Sequence, residues 1–307
     1  MGQKPKILVI TGPTAVGKSD ISIKLACEFD AEIICADSMQ IYHGMDIGTG
    51  KITYREKMLV PHHLIDAAEP CDPYTVGRYV EQARTIIGQL TKKRKNIIVS
   101  GGTGLYINAL INGYNFASAE CSEEIRLRYR DKAEKEGNEA LHQELLRRDP
   151  ESAQKISAND QKRMIRALEI LELTGESKSS RAAQSESSDR EFDSLVIVLT
   201  LDRAELYAKI NARVDKMLCA GLENEVRSLL PYRNYSSMQA IGYKEFINYF
   251  DGHSTETEAV ADIKKHSRNY AKRQMTFFRS MRAEKLFIDA GKEQDIFDKA
   301  KQFYQET

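Results

Sequence analysis

Ile7-Leu8-Val9-Ile10, then Thr11, then Gly12-Pro13-Thr14-Ala15-Val16-Gly17-Lys18-Ser19: on this stretch the fold is decided. Four consecutive apolar residues read as a strand buried on both faces. The eight residues from Gly12 match the phosphate-loop pattern G-x-x-x-x-G-K-S. Lys18 to Phe29, with apolar Ile21, Ile23, Leu25 and Ala26, reads as the helix that follows. A strand, a glycine loop and a helix are the setting a P-loop needs, because backbone N–H groups and the helix dipole then converge on phosphate oxygens. Lys18 would neutralise the phosphate charge, and the Ser19 hydroxyl would ligate Mg2+. The loop alone leaves its phosphorylated guest open, with a nucleotide as the default.

Outward from the loop, a second strand is expected at Glu32 to Ala36 and a third at Asn96 to Ser100. Between them, from about Thr75 to Lys93, Val76, Tyr79, Val80, Ala83, Ile86, Ile87 and Leu90 recur at helical spacing, so one helix face packs on a sheet. From about Ser118 to Thr174 the chain becomes charged and helix-rich, with no strand signal. The Ser-rich, apolar-poor stretch Glu176 to Arg190 reads as a linker, after which Leu195 to Leu199 is again a buried strand. Helices are expected at Arg203 to Leu230, Tyr243 to Phe250 and Thr255 to Arg282, then a last strand at Leu286 to Ile288. The fold class is α/β, a P-loop NTPase-like parallel sheet with helices on both faces and an inserted all-helical domain. Its parts are a P-loop core over 1–117, a helical insertion over 118–190, and the core's continuation with C-terminal helices over 191–307.

Composition excludes several classes. Lys plus Arg and Asp plus Glu both number 45, so net charge announces no polyanion. Locally the helix from Thr255 is basic, with Lys264, Lys265, Arg268, Lys272, Arg273, Arg279 and Arg282, which suits either a solvated face or a polyanion. Five scattered cysteines without a C-x-x-C pair indicate neither disulfides nor a zinc ribbon, and a reducing cytoplasm fits them. The apolar run at Ile7 to Ile10 is too short for a signal peptide or a membrane span. No coiled-coil heptad argues against a monomer, and no obligate protein partner is expected. Adjacent His62 and His63 point apart on a strand with no carboxylate or cysteine at ligand spacing, which favours a structural role over metal.

Asp37-Ser38-Met39-Gln40-Ile41-Tyr42 falls where the second strand ends, on the sheet edge where doubly wound folds bind ligands. A carboxylate there is either a helix cap or, beside a P-loop, a general base. Further blocks run in order along the chain: Gly44-Met45-Asp46-Ile47-Gly48-Thr49, Pro61 to Asp66, Gly101-Gly102-Thr103-Gly104-Leu105-Tyr106, Asn159-Asp160 with Arg163 and Arg166-Ala167-Leu168-Glu169, Ala240-Ile241-Gly242-Tyr243, and Tyr270-Ala271-Lys272-Arg273-Gln274. Together with the P-loop, this ordered set closely resembles the tRNA dimethylallyltransferases, also called tRNA isopentenyltransferases.

The resemblance implies transfer of a dimethylallyl group from dimethylallyl diphosphate to the exocyclic amine of the adenosine 3′ of the anticodon in tRNA. The P-loop would then hold a diphosphate leaving group, with Lys18 and magnesium stabilising its charge. By the family match Thr14 would reach the diphosphate bridge, Arg213 would add a second positive clamp, and Asp37 would take a proton from the amine. The target base must leave its stack, and Asp37, Ser38, Met39 and Gln40 would line its pocket. Thr103 would touch the tRNA or cap a helix. Arg126 and the stretch Gln161, Lys162, Arg163, Met164 and Ile165 would bring the insertion over the anticodon loop. Some family members carry a C-terminal zinc finger; no cysteine follows Cys219, so that contact is not expected. The alternatives are a P-loop small-molecule kinase using ATP, with Arg126 and Arg130 as lid arginines, prenyl transfer to a free adenine nucleotide, and an RNA-binding protein without catalysis.

Overall fold

The computed structural model describes residues 4–112, 122–176 and 191–305. The expected boundary at 117/118 and the linker beyond Glu176 lie outside them. By chain contacts the molecule divides into two compact units, residues 1–111 with 191–307, and residues 112–190.

The opening apolar run is β1 (Lys6–Thr11), buried at every residue after Lys6. Gly17, at φ 99°, turns the chain into α1 (Lys18–Glu28). There follow β2 (Ala31–Cys35), a short α2 (Tyr54–Leu59), the two-residue β3 (His62–His63), α3 (Val76–Lys92), β4 (Asn96–Gly101) and α4 (Gly104–Ile111). Thr75 starts α3 by accepting the Arg78 amide, which satisfies one of the donors that a helix start orphans.

The second unit holds α5 (Glu123–Arg148), α6 (Pro150–Lys155) and α7 (Gln161–Thr174). Gly137, at φ 86°, interrupts α5, and its halves fold back so that Lys132 pairs with Glu144 and Arg148 reaches the Tyr129 hydroxyl. Tyr129, Leu141, Leu145, Met164 and Leu168 form a core of this unit's own.

The first unit resumes with β5 (Asp193–Thr200), α8 (Arg203–Cys219), α9 (Leu222–Ser228), α10 (Tyr243–Phe250), α11 (Glu256–Ser280), β6 (Lys285–Asp289) and α12 (Glu293–Gln305). All six strands pair in parallel in the order β3-β2-β4-β1-β5-β6. Parallel neighbours require crossovers, which lay helices on the sheet and bury it on both faces. Leu8 and Ile10 of β1 pack with Leu25 of α1 and with Ile296 and Phe303 of α12. Ile7 and Val9, alternating to the opposite face, are fully buried too.

One expectation is corrected in detail. The helix read over Arg203 to Leu230 is two helices, because Gly221 takes φ 97° and starts α9 afresh. Past β6 the described residues add α12, a helix that the sequence periodicity did not single out. Among the described residues no helix is long and apolar enough to cross a membrane.

Candidate active site

The carboxyl ends of β1, β2 and β4 open onto one cavity of about 880 Å³, which α8 and α11 complete. Thr14, Lys18, Ser19, Asp37, Ser38, Met39, Gln40, Arg213, Tyr270, Arg273 and Gln274 line it. This is the sheet edge where parallel α/β folds bind ligands, and the volume suits a small molecule.

In the P-loop, Gly12, Pro13 and Val16 are buried, and Val16 packs into the core under the loop. Lys18 Nζ donates to the carbonyls of Pro13 at 2.8 Å and Gly12 at 3.2 Å. Burial pulls the Lys18 ammonium down to about 8; Asp37 opposes that shift and the Arg213 guanidinium reinforces it. Lysine, carboxylate and arginine are therefore within electrostatic reach of one another. An anionic ligand would favour the charged lysine.

Asp37 stands two residues past β2. Its Oδ1 accepts the Met39 amide at 3.0 Å, a local turn that fixes the carboxylate's direction. Thr103 holds the same segment from β4: its Oγ1 accepts the Ser38 amide at 2.9 Å and donates to Ser38 Oγ at 3.2 Å. The Thr103 carbonyl begins α4, but its hydroxyl serves Ser38 rather than capping the helix. Thr103 thus holds the loop that carries Asp37, and its side chain is not the helix cap of the alternative reading.

Arg213, from α8, is largely removed from water, which lowers its pKa, while Asp37 works the other way. Its Nη2 donates to the Thr49 carbonyl at 2.8 Å. Gln40 reaches the same turn, with Nε2 3.4 Å from the carbonyls of Thr49 and Gly50. Cys35 Sγ lies 3.5 Å from Gln40 Oε1 and orients that amide. Burial, with Asp37 beside it, pushes the Cys35 thiol far up, so it is no nucleophile.

Sequence reasoning gave Gln274 no role. From α11 its Oε1 accepts the Thr14 amide at 2.9 Å and its Nε2 donates to the Gly102 carbonyl at 2.9 Å. One buried amide thus ties the P-loop to the turn after β4. A Cβ at Gly102 would stand 2.4 Å from Gln274 Nε2, so only glycine admits that approach. The quoted motifs contained both residues, but no local signal marks a bond spanning 172 positions.

In the helical unit, Arg126 and Arg166 both pair with Glu169, whose side chain is fully buried. Lys162 and Arg163 are exposed and Gln161 is partly buried. Met164 and Ile165 lie in that unit's core at 0% and 6% exposure, which corrects their expected contact with RNA. Arg130 is exposed and pairs with Glu123.

A divalent cation fits the donor set at the P-loop. Magnesium keeps several waters and takes one or two protein oxygens plus substrate phosphates, and the cavity offers the Ser19 hydroxyl beside the Lys18 cradle. Among the described residues no three His, Cys, Asp or Glu side chains gather as an all-protein cage. His63 bonds Glu32 at 2.7 Å and His62 the Val60 carbonyl at 2.8 Å, so both tie down the sheet edge.

A glycine-loop cradle at the carboxyl edge of a parallel sheet, with a half-buried lysine, an arginine and a carboxylate facing one cavity, defines a P-loop α/β protein that takes a phosphorylated ligand. The chain belongs to the IPP transferase family, whose model matches residues 40–281; the model of isopentenyl transferase matches residues 5–62. It is 43% identical to the tRNA dimethylallyltransferase of Clostridioides difficile over 93% of this chain and 92% of that one. Among solved structures it is similar to the full-length tRNA isopentenylpyrophosphate transferase of Bacillus halodurans, at TM-score 0.72 and 38% identity over 98% of this chain and 99% of that one. A eukaryotic dimethylallyltransferase caught acting on tRNA superposes at TM-score 0.80 and 29% identity, over 97% of this chain and 77% of that one. This membership overturns the alternative of a small-molecule kinase.

Proposed function

We propose that this protein transfers a dimethylallyl group from dimethylallyl diphosphate to the exocyclic amine of the adenosine 3′-adjacent to the anticodon in tRNA, releasing diphosphate. The observation that carries the reading is the grouping of Lys18, Arg213 and Asp37 around one cavity. Membership of the family supplies the substrates.

The amides over residues 15–19 and Lys18 hold the diphosphate, with the Thr14 hydroxyl at its bridge and Arg213 on its far side. As the bond from allylic carbon to oxygen breaks, negative charge grows on the leaving group. Lys18 and Arg213 are preorganised to meet it. A bound Mg2+, held by Ser19 and the phosphates, would add Lewis-acid stabilisation of that same charge. On the other face of the donor the flipped adenine lies against Ser38, Met39 and Gln40, and its amine donates to Asp37. Asp37 removes the amine proton once the new carbon–nitrogen bond forms. No phosphoryl group moves, so the P-loop here serves carbon transfer.

The helical insertion, with Arg126, Gln161, Lys162 and Arg163, and the exposed Lys272 and Arg273 of α11, contact tRNA phosphates and fix its position without reading sequence. We place the reaction in the cytoplasm, with the enzyme a monomer. Unmodified tRNA incubated with the protein and dimethylallyl diphosphate is digested and its nucleosides weighed. Prenylated adenosine is expected, and its absence across a panel of tRNAs with adenosine at that site would refute the reading.

A further inference from the structure

The turn over residues 44–50 carries no reacting group, yet the chain invests unusual bonding in it. Three consecutive amides, those of Asp46, Ile47 and Gly48, all point at one carboxylate: Glu225 of α9, at 3.0, 2.7 and 3.0 Å. Successive N–H groups aimed at one point form a nest of the kind that proteins use to bind anions. Here the anion is the protein's own. The Tyr243 hydroxyl at the start of α10 donates to the same carboxylate at 2.6 Å, so Glu225 takes four charge-assisted hydrogen bonds. Opposite it, the almost wholly buried Lys51 ammonium joins Asp46 at 2.6 Å, Asp66 at 2.5 Å and the Tyr42 carbonyl at 2.8 Å.

What this frame presents to the cavity is the Thr49 carbonyl, and that carbonyl holds the Arg213 guanidinium. The sequence of the turn is moulded to the same end. A Cβ at Gly50 would stand 2.3 Å from Arg213 Nη2, and one at Gly48 would stand 2.5 Å from the Tyr243 ring. Gly50 also sits at φ 59°, where a side chain is strained. Any larger residue at either position would displace the arginine or the tyrosine.

We infer that Glu225 is a positioning residue for prenyl transfer: with Tyr243 it clamps the 46–48 amides, and through the Thr49 carbonyl sets where Arg213 meets the diphosphate. This rests on the proposed role of Arg213. Without the carboxylate, three partly positive amides lose their acceptor, the turn relaxes, and Arg213 loses its fixed partner while keeping its charge. The defect should therefore appear on the prenyl donor and not on tRNA.

The test is a double-mutant cycle of Glu225→Gln against Arg213→Ala, read in kcat/KM for dimethylallyl diphosphate and in KM for tRNA. Glu225→Gln alone should lower the donor's kcat/KM on the order of tenfold, the coupling expected within one hydrogen-bonded network, and leave the tRNA KM within about twofold. In the Arg213→Ala background the same change should cost less than about twofold. Equal losses in both backgrounds, or a loss expressed on tRNA, would overturn the inference. Tyr243→Phe removes one of the four bonds and keeps the ring, so it decides the question if the Gln variant folds poorly: about a threefold loss is expected, again absent without Arg213. Calorimetric binding of inorganic diphosphate by the same four proteins separates the two claims. If no tRNA is prenylated, the proposed function fails, while this titration still reports whether Glu225 acts through Arg213.

Discussion

In the sheet-bearing unit, functional side chains are held by backbone groups distant in sequence: Gln274 reaches Gly102, Arg213 reaches Thr49, and Glu225 reaches residues 46 to 48. In the helical insertion charged side chains pair with one another, Arg126 and Arg166 on Glu169, Lys132 on Glu144, and Arg148 on Glu172, although Glu169 also accepts the Ser122 amide. A side chain anchored to a backbone carbonyl is fixed by the fold itself and keeps its place while charge develops beside it. An ion pair depends on the protonation and solvation of both partners. Chemistry that needs preorganised charge is thus placed where the fold does the holding, and the tRNA surface that we propose on the insertion lies where charges can exchange partners.

The largest effect expected from breaking this division lies at the cavity. Asp37→Ala should lower prenyl-transfer kcat by roughly two to four decades, the usual contribution of a general base, with tRNA affinity far less changed. Steady-state kinetics alongside filter binding separates the two, and equal losses in both would mark Asp37 as structural. Next comes the insertion's central acid. Burial works to raise the Glu169 pKa but is outweighed by hydrogen bonds from Arg166, the Ser122 amide and Arg126, which leave it below the ordinary 4.5. Its folded value is depressed, so its stabilisation is fully present above about pH 4.5 and is lost as pH falls through that lower value. Glu169→Gln should destabilise the insertion by about 2 kcal/mol at neutral pH and flatten that acid dependence, as read by hydrogen exchange within residues 122–176.

Smaller again is the titration of Lys18. Its ammonium, lowered to about 8, has lost its proton in half of the molecules at that pH and in most of them above it, whereas bound diphosphate favours the charged form. Affinity for inorganic diphosphate should fall above pH 8 by up to about tenfold per pH unit, with proton uptake on binding seen by calorimetry in two buffers. In the ligand-free protein the sign reverses. Between about 8 and 10.5 the unfolded chain keeps a proton that the folded chain gives up, so this group adds stability as pH rises. The smallest effect belongs to the exposed Lys155–Glu151 pair of α6. Lys155→Ala should shift stability by under about 0.5 kcal/mol in thermal melts, and more would mean that the insertion's surface pairs carry load.

How much of this was legible in the sequence follows the same division. The P-loop and the Asp37 segment are contiguous, so spacing alone exposed them. The buried strands showed as apolar runs, and the long face of α3 as a helical period. The break at Gly221 stayed hidden because apolar residues continue at helical spacing on both sides of a glycine, and helices tolerate single glycines. Terminal α12 was missed because Ile296, Ala300 and Phe303 are few among charged neighbours. Met164 and Ile165 show the limit of a motif: the stretch was quoted whole, yet helical geometry turns these two into the core while Lys162 and Arg163 face water. Gln274 and Glu225 were unreadable for a different reason. Their partners are backbone atoms far along the chain, and a backbone amide leaves no trace in residue identity.

The central claim is that this P-loop holds a leaving group for carbon transfer. The direct measurement counts products when tRNA, dimethylallyl diphosphate and ATP are supplied together with magnesium. One diphosphate released per prenylated adenosine, with ATP recovered intact, is the predicted result. Turnover of ATP with the tRNA left unmodified would contradict the account.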